Sequence, residues 1–335
     1  MSTGLPSSPA IRLIADIGGT NARFAIYRGS MLMDPLVLSC ADFPSPAAAA
    51  AHYLGTLGPD HPRPTEAAFA IAGPITGDLV VMTNHVWRFS LAATKRALGL
   101  QRLFVMNDFT ALAMAVPYLP ANELEAVGLG QPVPDAPIAL IGPGTGLGVS
   151  GLLPIGSSTA RTWVPLQGEG GHSTMPAMNE REAAMLAHLR QRFTHVSAER
   201  VISGPGLVNV YNALCALESK IPESLEPADV TERALQGSDL LCREALDMVC
   251  AMLGTVAGNL VLTLGAFGGV YIGGGIVPKL GRMFASSPFR DRFEDKGRYS
   301  DYLARVPSYV IRTEHAAFIG LAHAFFTPGP RFEAQ

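Results

Sequence analysis

The stretch IRLIADIGGTNARFAIY, residues 11–27, decides the fold. Ile11–Ala15 is an apolar run that stops at Asp16 and a pair of glycines. Arg23–Tyr27 then alternates, with Phe24 and Ile26 on one face of a strand and Ala25 and Tyr27 on the other. A strand, a glycine-rich turn and a second strand make a hairpin. The glycine turns of dinucleotide-binding and P-loop folds open onto a helix instead. No Gly-Lys-Ser/Thr phosphate-binding motif is present either.

The same pattern recurs. Ile138–Ile141 is apolar, Gly142-Pro143-Gly144-Thr145-Gly146 is a turn, and Leu147–Leu153 reads as a returning strand. Two strand–turn–strand units imply two related half-molecules facing one another. Between them, strands are expected over Glu66–Ala72 and Leu103–Met106, with helices over Ser90–Leu98 (Ser90 as N-cap) and Thr110–Val116. Later, Asn179–Phe193, Leu207–Leu217 and Ala316–Phe326 carry helical patterning, and Val306–Ile311 reads as a strand. Strands alternating with helices indicate an α/β architecture. The first domain is expected to end near Val116–Leu119. That gives a smaller α/β domain of residues 1–118 plus 312–330 and a larger one of residues 119–311.

Composition narrows the partners. The 335 residues suffice for about two domains of roughly 150 residues. Apolar residues at 48% and charged residues at 16% support a large core and exclude general disorder. A net charge of −3 with no basic face argues against nucleic acid and for a small molecule. Cys40, Cys215, Cys242 and Cys250 form no CxxC pair and no zinc spacing. They read as buried, reduced thiols of a cytoplasmic protein. The N-terminal MSTGLPSSPA lacks the basic start and apolar core of a signal peptide. Both it and the tail Thr327–Gln335 read as loose extensions. Met248–Pro278 carries no charge and passes a crude test for a membrane span, but Thr255, Asn259, Thr263 and many glycines interrupt it. The expectation is a helix buried on all sides to about Ala266, then a strand Gly269–Ile272 ending in Gly273-Gly274-Gly275, with no membrane involved.

Several residues could carry chemistry. In Asp16-Ile17-Gly18-Gly19-Thr20-Asn21, glycines let backbone N–H groups approach phosphate oxygens and Thr20 adds a hydroxyl. Asp16 could hold Mg²⁺ directly or through its water. Alone, this is an ordinary hairpin turn. The turn Gly142–Gly146 follows the same logic, and two such turns on opposed domains could grip one triphosphate. Asn107-Asp108 follows a strand and precedes an apolar helix. Asp108 could simply cap that helix. At the carboxyl end of a buried strand it could instead accept the proton of an attacking hydroxyl, with Asn107 holding the neighbouring hydroxyl. Gly168-Glu169-Gly170-Gly171-His172 presents a carboxylate and an imidazole, which suit adjacent sugar hydroxyls. Its three glycines argue against a helical Glu-x-x-His metal site. Glu199, before the Ser203-Gly204-Pro205-Gly206 turn, would alone be a surface charge. No Gly-x-Ser-x-Gly elbow or HExxH helix is present.

In order, the chain resembles bacterial glucokinases of the hexokinase–actin-like ATPase superfamily. The matching stretches are ADIGGTNARFAIY (15–27), GPITGDLVVMTNHVW (73–87), NDFTALAMAVP (107–117), GPGTGLGVS (142–150), GEGGH (168–172), ERVISGPGLVNVY (199–211) and GGVYIGGGIVPKL (268–280). The resemblance implies a two-domain actin-like ATPase (ribonuclease H-like) fold with a cleft, glucose at its base and ATP above. It implies Asp108 as catalytic base, and glucose contacts from Asn107, Asp108, Glu169, His172 and Glu199. ATP phosphates would meet Ala15, Asp16, Ile17, Gly18, Gly19 and Thr20 and the turn Gly144, Thr145 and Gly146. Gly273–Gly275 is similar to the family's glycine stretch on the nucleotide side. The resemblance also implies Mg²⁺ accompanying ATP and a homodimer. Related ROK proteins carry a cysteine-rich zinc motif near the sugar-binding histidine. Here no cysteine lies between Cys40 and Cys215, so no zinc is expected. ROK repressors place a helix-turn-helix domain before the DxGGT segment, and 15 residues before Asp16 are too few for one. Another hexose as substrate, a non-catalytic sugar sensor, a structural actin-like ATPase, and ADP or polyphosphate as donor are the alternatives the sequence leaves open.

Overall fold

The computed structural model describes residues 10–29, 31–59, 61–82, 85–157, 161–313, 315–325 and 332–334. The N-terminal lead-in 1–9, residues 83 and 84 of the stretch 73–87, residue 326 at the end of the expected last helix, and residues 327–331 and 335 of the tail lie outside the described residues. The chain runs β1 (Ile11–Ile17), β2 (Asn21–Arg28), β3 (Met31–Ser39), α1 (Pro46–Thr56), β4 (Glu66–Ile71), β5 (Leu79–Val81), β6 (Arg88–Ser90), α2 (Leu91–Ala97), β7 (Arg102–Asn107) and α3 (Asp108–Ala115). It continues with β8 (Leu124–Val127), β9 (Ile138–Pro143), β10 (Leu147–Ile155), β11 (Thr162–Gly168), α4 (Glu180–Leu189), α5 (Gly204–Leu217), α6 (Pro227–Gln236), α7 (Leu240–Leu264) and β12 (Val270–Ile272). It closes with α8 (Val277–Leu280), α9 (Arg282–Ala285), α10 (Phe289–Glu294), α11 (Ser300–Arg305), β13 (Ser308–Ile311), α12 (Ala316–Ala324) and β14 (Phe332–Glu333).

Two compact units result, one of Met1–Leu119, Ile155–Gln167 and Thr313–Gln335, the other of Pro120–Pro154 and Gly168–Arg312. The sequence division put Ile155–Gln167 in the larger domain, whereas it groups with the first unit. Nothing in its local composition marks that excursion, because membership is set by non-local contacts.

In the first unit the sheet order is β14-β7-β4-β1-β2-β3. β1 pairs antiparallel with β2 from Ile11↔Arg28 to Ile17↔Ala22, which is the expected hairpin. β1, β4 and β7 are parallel, with Ile17 level with Ile71 and Ile71 level with Asn107. The period-2 alternation sorts the side chains. Leu13, Ala15, Ile17, Phe24, Ile26, Phe69, Ile71 and Val105 pack with Tyr53 of α1 and Leu91 of α2. Ile14, Ala25, Ala68, Ala70, Phe104 and Met106 pack with Ala111 of α3 and Phe318 and Leu321 of α12. Both faces are covered, so the strands are apolar almost throughout.

In the second unit strands follow the order β10-β9-β12-β13-β8. β9 is antiparallel to β10 and parallel to β12, and β12 is parallel to β13. The run β10-β9-β12-β13 therefore repeats β2-β1-β4-β7, so the two strand–turn–strand signals do mark an internal repeat.

α7 begins at Leu240, earlier than expected, because the Asp239 side chain accepts hydrogen bonds from the N–H groups of Leu241 and Cys242 and caps it. It is long and apolar enough to cross a membrane, with a mean hydropathy of 1.7, yet 67% of its most apolar window is buried inside the protein. It packs against α5, α6 and α10, which accounts for its all-round apolarity. The tail corrects its expectation. Phe332 and Glu333 pair with Val105 and Phe104 of β7, and Ala334 is buried. A two-residue strand is too short to leave a periodic signal.

Candidate active site

The carboxyl ends of parallel strands are where α/β folds bind ligands. At this edge of the first unit stand two of the expected groups, the turn after β1 and the pair Asn107-Asp108 after β7. The turn is tight: Gly18 N–H donates to Asn21 O at 2.9 Å, and a Cβ on Gly18 would come within 3.3 Å of that oxygen. It is also braced from behind, where Cys40 N–H donates to Thr20 O at 2.9 Å and the Cys40 thiol lies 3.4 Å from Gly18 O. Gly18, Gly19 and Thr20 are accessible, whereas Ala15 and Ile17 are wholly buried. Those two build the strand that leads into the turn. Ala15 lies within the ladder between Phe24 and Phe69, so no side chain of either can meet a phosphate.

Asp16 faces Arg23 directly across the hairpin, with Arg23 Nη1 3.3 Å from Oδ2. Burial pushes the Asp16 carboxyl above the usual carboxylate range, while the Arg23 guanidinium and, more weakly, His315 pull it back. Among the described residues no group of three or more His, Cys, Asp or Glu could hold a metal. A single carboxylate nevertheless fits Mg²⁺, which keeps several waters and takes further ligands from phosphate.

The cap of α3 is Asn107, not Asp108. Asn107 is extended (φ −63°, ψ 147°), and its Oδ1 accepts from Phe109 N–H at 2.9 Å and Thr110 N–H at 3.2 Å. Its Nδ2 donates to Gly73 O at 3.3 Å, so toward a ligand Asn107 offers an N–H. Asp108 is thereby the first residue of α3, half-buried, with Oδ1 accepting from Phe109 N–H at 2.8 Å.

In the second unit the other candidates converge. Gly170–His172 forms a single 3₁₀ turn in which His172 N–H donates to Glu169 O at 3.0 Å. Residues three apart share a side in such a turn, so Glu169 and His172 emerge together, both exposed. Glu199 joins them: its N–H donates to Gly171 O at 2.9 Å. Its Oε2 accepts from Leu147 N–H at 2.9 Å, at the end of the Gly144–Gly146 turn. Gly274, at φ +81°, packs so closely on Pro143 O that a Cβ would overlap it. The Gly273–Gly275 stretch thus lies beside the turn Gly142–Gly146.

Sequence reasoning missed Arg23, although the register of a two-residue-periodic hairpin makes it the cross-strand partner of Asp16. It also missed Ser203, the N-cap of α5, whose next residue Gly204 donates its N–H to Gly144 O at 2.8 Å. That contact has no local signal, being a meeting of segments far apart in the chain. All four cysteines are free and buried as expected, and burial pushes the thiols of Cys242 and Cys250 up to about 12.

Known proteins share this framework. A glucokinase from Nitrobacter hamburgensis is 50% identical over 322 residues, covering 96% of this chain and 99% of its own. One from Chromobacterium violaceum is 53% identical over 323 residues, covering 96% and 91%. The crystal structure of glucokinase from an Antarctic psychrotroph superposes with a TM-score of 0.83 at 37% identity, covering 93% of this chain and 97% of that one. The two-unit α/β fold is that of the actin-like ATPase sugar kinases. With the glucokinase family model matching residues 13–327 and such relatives alike along nearly their whole length, the chain belongs to the glucokinase family.

Proposed function

We propose that this chain transfers the γ-phosphoryl group of ATP to the 6-hydroxyl of glucose with Asp108 as the general base. Phosphorylation of glucose by ATP follows from membership of the family. The observation that carries the residue assignments is the register Ile17–Ile71–Asn107, which sets Gly18–Thr20 and Asp108 at one edge of one sheet. Asp108 orients the hydroxyl and takes its proton. Asn107 donates through Nδ2 to a neighbouring hydroxyl, and Glu169, His172 and Glu199 hold the remaining ones. Backbone N–H groups of Gly18, Gly19 and Thr20 and of Gly144, Thr145 and Gly146 receive phosphate oxygens. Asp16 would hold Mg²⁺ through water; bound Mg²⁺ supplies positive charge against the phosphates. We further place the enzyme in the cytoplasm at the first step of glycolysis, as a homodimer. Four free thiols support the reducing compartment, and the family resemblance supports the dimer.

The test is glucose-dependent ADP formation from Mg-ATP, with Asp108→Ala alongside. Loss of the base should lower kcat by about 10²–10⁴-fold and change the glucose KM much less. Near-normal turnover by the variant would remove Asp108 from the role. A silent wild type that still binds glucose would point to another donor or to a non-catalytic sugar sensor.

A further inference from the structure

The Gly144–Gly146 turn is held mainly from outside its own hairpin. Within it, Gly144 N–H donates to Gly146 O at 2.8 Å and closes the loop. Pro143 O accepts from Ile276 N–H at 3.3 Å, Gly144 O accepts from Gly204 N–H, and Leu147 N–H goes to the carboxylate of Glu199 at 2.9 Å. A Cβ on Gly146 would stand 2.5 Å from Glu199 Oε2, so glycine there leaves the carboxylate its place. The backbone of Glu199 is fixed as well: its N–H donates to Gly171 O, and its carbonyl accepts from Ser203 Oγ at 2.8 Å. One residue thus ties the phosphate turn to the sugar loop and to the cap of α5.

We infer that Glu199 is a positioning residue for the phosphate turn, one carboxylate oxygen fixing Leu147 N–H while the other remains for a sugar hydroxyl. This rests on the reading of Gly144–Gly146 as a phosphate site. The two oxygens can be separated by chemistry. Glutamine keeps one acceptor for Leu147 N–H and turns the other oxygen into a donor; alanine removes both.

The experiment measures the affinity of Mg-AMPPNP for the glucose-free protein, and of glucose separately, in wild type, Glu199→Gln and Glu199→Ala. Losing a hydrogen bond to a charged group in the turn should weaken the nucleotide roughly 10-fold in the alanine variant. The glutamine variant should lose less, about 2- to 5-fold, since its acceptor remains but the charge does not. Both should bind glucose at least roughly 10-fold more weakly. Wild-type nucleotide affinity in Glu199→Ala would overturn the inference. Unchanged glucose affinity in both variants would instead remove the sugar contact, leaving the nucleotide result to decide the positioning role. Exchange of the Leu147 amide followed by NMR needs no ligand: protection should survive in Glu199→Gln and fall in Glu199→Ala. Equal protection in all three would overturn the inference even if AMPPNP bound none of them.

Discussion

Asp16 and Arg23 occupy facing positions of one hairpin, so their pairing follows from register alone. The consequence for charge does not. Burial raises the Asp16 pKa, and Arg23 is the main opposing influence. An acid whose folded pKa is raised favours the folded state at low pH, and that contribution is lost as pH rises through the folded value. On the proposed role of Asp16, activity has the opposite sense, because a carboxylate serves Mg²⁺ only when ionised. Arg23→Gln should therefore move the acid limb of kcat/KM for Mg-ATP to higher pH. The measurement is that pH profile in wild type and variant; coincident acid limbs would mean Asp16 does not limit the reaction. At this scale the sequence supplies the candidates, since Asp16, Asn107, Asp108, Glu169, His172 and Glu199 are the residues the proposed mechanism uses. Their bonding was not: two adjacent cap-competent residues, Asn107 and Asp108, cannot be told apart until the backbone at Asn107 is seen to be extended.

α3 carries Asp108 at its start, and α12 fixes where α3 lies. At Gly320 the two helices approach so tightly that a Cβ would overlap Ala111 O. Gly320→Ala gains about 1 kcal/mol of helix propensity. The overlap is with backbone, so α3 and α12 must part, at about 1–3 kcal/mol or more. The variant should be net destabilised and, because α3 shifts, should lose kcat too. Gly55 in α1 is the control: a Cβ there meets nothing within 4 Å, so Gly55→Ala should be neutral or stabilising. Urea unfolding of both variants decides it, and a Gly320→Ala protein as stable as wild type would mean the helices separate without penalty. Ser90 shows what an element's own residues can foretell, since its Oγ accepts from Ala93 N–H at 3.1 Å as the expected cap of α2. α6 was missed despite the capping box between Glu226 and Asp229, because a Glu cap departs from the Ser/Thr/Asp/Asn preference.

At the scale of the molecule, the tail joins the first sheet from far along the chain. Ala334 N–H donates to Leu103 O at 3.0 Å, Lys95 Nζ reaches Ala334 O at 2.9 Å, and Arg102 Nε reaches Glu333 Oε1 at 3.0 Å. Removing Phe332–Gln335 should destabilise the protein by about 1–3 kcal/mol, the worth of a few hydrogen bonds and one small buried side chain. Calorimetry of the truncated chain checks this; an unchanged melting temperature would mean β14 adds nothing. The repeat β2-β1-β4-β7 and β10-β9-β12-β13 was already visible as two apolar-run, glycine-turn, alternating-run signals, because strand period and turn chemistry are local properties written every few residues. By itself the sequence determined the α/β class, both hairpins and the main helices and strands, and it supplied the groups proposed for the chemistry. Tertiary structure alone decided the partners: Glu199 with Leu147, Gly204 with Gly144, Arg23's effect on Asp16, and the tail on β7. Each depends on segments distant in the chain, or on burial, and neither leaves a mark in local periodicity.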